Sequence, residues 1–177
     1  MSQIKVNSII PVAGVPTGGG GGIIQIKQTV KTDNFSTTSS SLTDVTGLSV
    51  AITPTSSTSK ILVQVNLGLV GGVQGSYAGF RVYRGSTAIG VGSTASGSQV
   101  DVSFVANHNR DSDWNSEGGV FFQHLDSPAT TSATTYKLQV FSGYQSKEIN
   151  INRSNPGDNA AYSQRTSSSI TVMEVSA

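Results

Sequence analysis

The residues best equipped for chemistry fall in one stretch, "HNRDSDWNSE", from His108 to Glu117. Asp111, Asp113, Asn115 and Glu117 stand at alternate positions, as oxygen ligands do in a calcium loop. The match stops there, because the sixth position is Ser116 where such a loop needs Gly, and the twelfth is Phe122 where it needs Glu. Glycoside hydrolysis by two carboxylates requires acids on opposing walls of a cleft, whereas Asp111, Asp113 and Glu117 share one loop. Nucleophilic catalysis is no better served. The histidines are His108 and His124, no serine lies in a G-x-S-x-G elbow, and His124 falls in an apolar strand pattern where a packed ring is expected. No catalytic residue, cofactor or metal ion is expected. The stretch does hold the single tryptophan, Trp114, between Asp113 and Asn115, with Arg110 and Asp111 close by. An aromatic with hydrogen-bonding neighbours on a loop is equipment for gripping a sugar or a protein surface. Its other use is to fold back and cap the end of a domain. Tyr77, in the glycine-rich "GGVQGSYAG", is a further receptor-loop candidate, with Tyr144 and Tyr162 as weaker ones.

A second conspicuous feature is the run Gly18, Gly19, Gly20, Gly21, Gly22. A phosphate cradle needs Gly-Lys-Ser/Thr opening a helix, but Ile23 and Ile24 follow the run. "GVGSTA", from Gly90 to Ala95, imitates a dinucleotide fingerprint without the helix that would follow it. The glycines therefore read as a hinge. Before them, "MSQIKVNSIIPVAG" is dense in apolar residues yet too short and proline-punctuated to form a core. Ile4, Val6, Ile9, Ile10 and Val12 are its expected anchors on another component, each worth roughly 1.5 to 3 kcal/mol if fully buried.

The elements that must position these residues are strands. The 177 residues include 46 Ser plus Thr, which suits exposed strand faces better than helices. From Ile24 onward apolar residues recur mostly with period two between Gly, Ser, Thr, Asn and Pro clusters. Ile24 and Ile26 are expected on one side of a first strand. Leu48, Val50 and Ile52 are expected inward, and Ile61, Val63, Val65, Leu67 and Leu69 share one face of the clearest strand. Further strands are expected at 80–84, 100–105, 120–125, 136–141, 147–152 and 170–175. Roughly ten strands without a helical window predict an all-β jelly-roll β-sandwich. The domain spans 23–177, and 1–22 form a short extended N-terminal arm with its glycine hinge.

Eleven Lys plus Arg against ten Asp plus Glu provide no positive field for nucleic acid. There is no cysteine, no apolar stretch approaching 18 residues, and no signal-like run among the first fourteen residues, so membrane insertion is not expected. Acceptor sequons occur at Asn34 and Asn152. In the last strand, "SITVMEVS", Ile170 and Val172 lie on one face and Met173 and Val175 on the other; "VFFQHL" sets Phe122 opposite Phe121 and Leu125. One cover is the domain's own core. The other is expected to be a neighbouring subunit, since large apolar residues on an outer sheet face mark interaction sites; a loop of the same chain folded over the face is the alternative.

The order of "KVNSIIPVAG", "TDVTGLSVAITPTSSTSKILV", "FRVYRGSTAIG", "LDSPATTSATTYKLQV" and "SSITVMEVSA" resembles structural proteins of tailed bacteriophages of marine and cyanobacterial hosts, labelled tail fibre or virion structural proteins. The "VTGLSVAITP" strand and the apolar C-terminal strand are also similar to the trimeric jelly rolls of the tumour-necrosis-factor and complement type. These resemblances imply a non-enzymatic virion protein and a homotrimer with Ile170, Val172, Met173 and Val175 near its axis. The arm would dock on other virion proteins of tail or capsid, and the loops would face outward for host attachment. The chain has no long shaft, so a spike, a fibre-tip knob and a capsid decoration are the forms it fits. A carbohydrate-binding module that grips a host-surface glycan through Trp114 is the alternative.

Overall fold

The computed structural model describes residues 22–73, 75–93, 96–107, 118–154, 159–161 and 163–176. Among these residues eleven strands form two antiparallel layers: β1 (Ile23–Lys31), β2 (Phe35–Thr37), β3 (Thr43–Ile52), β4 (Lys60–Gly72), β5 (Tyr77–Arg84), β6 (Thr87–Ile89), β7 (Phe104–Asn107), β8 (Gly118–Asp126), β9 (Thr134–Ser142), β10 (Ile149–Ile151) and β11 (Ser168–Val175). One layer runs β1-β11-β4 with β8 on the far side of β4; the other runs β3-β9-β5, with β6 and β7 on β5. Apart from β5, β6 and β7, which share one layer, and the short β2 and β10, successive strands alternate between layers. That is the jelly-roll winding expected of the sequence.

The alternation in β4 shows why the layers meet. Ile61, Val63, Val65 and Leu67 are fully buried and face Leu48, Ile52, Phe80, Val82, Leu138 and Val140 from the other sheet. Phe80, Phe104 and Phe122 stack in series across the core at 4.8 and 5.3 Å between centroids. β11 adds Ile170 and Val172, also fully buried.

Three buried polar side chains, Glu174, Asp126 and Asn152, find partners in neighbouring chain, as burial demands. Glu174 is fully buried at the end of β11. It accepts hydrogen bonds from Gln25 Nε2, Thr55 N and Thr55 Oγ1, all at 2.7 Å, and so ties the β3–β4 connection to the β1–β11 pair. Asp126 closes the β8–β9 connection: its carboxylate accepts from Arg84 Nη1 at 2.8 Å and from the buried Tyr136 hydroxyl at 2.7 Å. Burial and that carboxylate push the Tyr136 phenol above its usual pKa. Asn152, 1% exposed at φ +66°, donates to the carbonyls of Lys31 and Asp33 and accepts from Ser168. It joins β10 to β11 where the ladder breaks, which leaves its amide no room as a glycosylation acceptor.

Ile26 is 56% exposed, on the outer face of β1, where it pairs with Met173. One expectation about strands is corrected. The strand expected at 100–105 begins only at Phe104, since residues 99–102 leave the sheet to wall a cleft.

Candidate assembly face and recognition end

Register places three rows of side chains on the outer face of β1, β11, β4 and β8. The first is Ile26, Met173, Leu62 and Leu125; the second is Gln28, Thr171, Gln64 and Gln123; the third is Val30, Ser169, Asn66 and Phe121. None of these twelve residues is charged. Ile26, Val30, Phe121 and Leu125 are each more than half exposed. Gln28 Nε2 donates to Thr171 Oγ1 at 2.8 Å within the middle row. The outer face of the opposite layer differs in kind. There Lys137 and Gln139 both donate to Asp44, at 2.9 and 2.6 Å, and Arg81 lies beside Gln139 in the register. Those two donors hold the Asp44 carboxyl below its usual pKa.

Of the four residues expected at a subunit interface, Ile170 and Val172 point into the chain's own core, and Met173 and Val175 lie on the outer side, half-buried. Ile26, Val30 and Leu62 belong to the same face and were not anticipated. The only signal available for them is cross-strand register, which a single sequence does not display.

Strand direction divides the remaining candidates between two ends. β1 begins where β11 finishes: Gly22 N donates to Ser176 Oγ and Ser176 N donates back to Gly22 O, both at 3.0 Å. That end also holds Lys60 and the β8–β9 connection. Tyr77 lies at the other end, roughly 40 Å away along the thirteen residues of β4. Tyr77 pairs with Asn107, the last residue of β7. Arg110, Asp111, Asp113, Trp114 and Asn115 lie outside the described residues, as do Ile4, Val6, Ile9, Ile10, Val12 and Gly18 to Gly21.

Around Tyr77 the outer surface is aromatic and polar. Its ring meets Tyr144 edge-on at 6.0 Å, and Lys147 Nζ lies 5.7 Å from the Tyr144 ring centre. Phe141 lies over Gly79, where a Cβ would come within 2.1 Å of the ring. A cleft of about 850 Å³ opens between Tyr77 and the 92–93 and 99–102 segments. Among the described residues no group of three or more His, Cys, Asp or Glu is placed to hold a metal ion, and no helix is long and apolar enough to cross a membrane.

No family model matches the chain, and no curated protein matches it. Among solved structures it is similar to that of infectious bursal disease virus, Gx strain, at 15% identity and a TM-score of 0.37. The match covers 97% of this chain and 44% of that one, so the chain spans less than half the length of the protein it resembles there.

Proposed function

We propose that this chain is a non-enzymatic structural protein of a phage particle, a short spike or fibre-tip component that associates with copies of itself through the outer face of β1, β11, β4 and β8. The observation that carries this reading is the contrast between the two outer faces: one holds twelve uncharged residues in three rows, the other an ordinary array of charges. An uncharged face leaves a charged partner's groups desolvated and unpaired. A second copy of the same face meets neither cost, because Gln28, Gln64 and Gln123 each carry both a donor and an acceptor. The three rows cover roughly 400 Å², about half of what one partner gives to a standard interface. The contact therefore extends past these rows, onto the β1 edge with Ile23. The number three comes from the resemblance to trimeric jelly rolls.

The two ends supply the orientation. The arm, with Ile4, Val6, Ile9, Ile10 and Val12, joins the domain at the Gly22 end and docks on another virion component. The Tyr77 end then faces outward for host attachment. Truncation of residues 1–22 is expected to abolish incorporation into particles while leaving the domain folded. Incorporation at the normal level would contradict the docking role.

A further inference from the structure

We propose that the cleft beside Tyr77 binds a neutral oligosaccharide. Its volume of about 850 Å³ lies in the range of small-ligand sites. Its lining includes Tyr77, Ser93, Gln99, Val100, Asp101 and Val102. This is an aromatic ring with hydroxyl, amide and carboxylate groups beside two valines. A sugar ring matches that set: its C–H face lies against an aromatic, and its hydroxyls both donate and accept. Among the described lining residues Asp101 is present and no Lys or Arg is, which disfavours acidic sugars and phosphates.

The site is built before any ligand arrives. Arg81 directs its guanidinium at a backbone carbonyl, that of Asp101, with Nε at 2.9 Å and Nη2 also donating. Ser103 N donates to Phe80 O and Ser103 Oγ to Ile89 O, both at 2.8 Å, and Gly92 N donates to Val102 O at 3.3 Å. The two walls of the cleft are thus tied to each other and to β5. Tyr144 holds the Tyr77 ring from its edge. Fixed walls and a fixed ring lower the ordering cost that weakens binding on mobile loops.

This inference rests on the reading of the Tyr77 end as the outward one, and it does not depend on how many copies associate. The test presents the full-length chain to an array of neutral, acidic and N-acetylated oligosaccharides, followed by calorimetric titration with the neutral sugar bound best. Binding to at least one neutral sugar is expected, at least tenfold weaker in Tyr77→Ala and in Gln99→Ala and largely kept in Tyr77→Phe. Each variant is to retain the parent's melting temperature and mass. Binding to no sugar, preference for acidic sugars, or unchanged affinity in Tyr77→Ala would overturn it. So would binding lost in Trp114→Ala while both cleft variants behave as the parent. A monomer that binds sugar leaves the cleft standing and removes the assembly proposal; an oligomer that binds none does the reverse.

Discussion

Glu174 shows how a single residue can report the fold. Burial raises the pKa of its carboxyl, but hydrogen bonds from Gln25 and Thr55 outweigh burial and leave it at about 2, against 4.5 for an ordinary glutamate. The folded state therefore favours the charged form. That contribution is fully present above about pH 4.5 and is lost as pH falls through the folded pKa near 2. A shift of this size corresponds to roughly 3 kcal/mol. Glu174→Gln is expected to lower stability at neutral pH by about 2 to 3 kcal/mol. It should also flatten the acid limb, so that urea unfolding at pH 7 and pH 3 differs less than in the parent. Parallel pH profiles would contradict this. Tyr136→Phe leaves Asp126 without its 2.7 Å hydroxyl donor and is expected to cost about 1 to 3 kcal/mol in the same assay. Glu174 continues the Ile170, Val172 parity, and a carboxylate on a core-facing position demands partners. What the sequence alone could not supply was Gln25 and Thr55, which are far away along the chain.

Legibility at the level of elements followed strand length. β4 and β3 carry enough alternating residues for position and face to be read, and their expected inward residues are buried; past the irregular register after Leu67, however, Val70 rather than Leu69 joins the core cluster. β2 and β6, three residues each, are too short to show a period and were not anticipated. In β1 one residue is inserted between Ile23 and Gln25, which the sequence does not display. The segments that carried the resemblance also have structural work to do. "LDSPATTSATTY" has Asp126 and Tyr136, hydrogen-bonded to each other, near its two ends, and "TDVTGLSVAITPTSSTSKILV" contains the Thr55 that holds Glu174. Gly68 makes a sharper test of element packing. A Cβ there would lie 2.3 Å from the Ser167 carbonyl oxygen, a backbone atom that cannot swing aside, where β11 begins. Gly68→Ala is expected to cost about 1 to 3 kcal/mol in thermal or urea unfolding. Gly119→Ala, whose nearest atoms lie at 3.2 Å, should cost less. Equal effects would mean that β11 does not start against Gly68 as described.

For the whole molecule, the sequence displayed Met173, Phe121 and Leu125 as large apolar residues on doubtful faces, but not the sheet that joins them. The uncharged face exists only when β1, β11, β4 and β8, drawn from both ends of the chain, are set side by side. The Tyr77 end was legible only as a list of aromatic and polar loop residues. The cleft wall at Asp101 was missed because 100–105 read as strand, and Gln99 just before it was not singled out. Assembly through the uncharged face is the central claim, and Met173→Asp is expected to disrupt it. The new carboxylate would lie in the middle of the apolar row, next to Leu62 and Ile26 in the register, and would have no partner on a second copy. The most direct measurement is the solution mass of the full-length chain and of Met173→Asp by light scattering after size exclusion, with circular dichroism to confirm that both are folded. The expected result is a parent species at three times the mass of the 18.3 kDa chain and a folded variant at the mass of one. A parent that runs as a folded monomer, or a variant that keeps the parent's mass, would contradict assembly through this face.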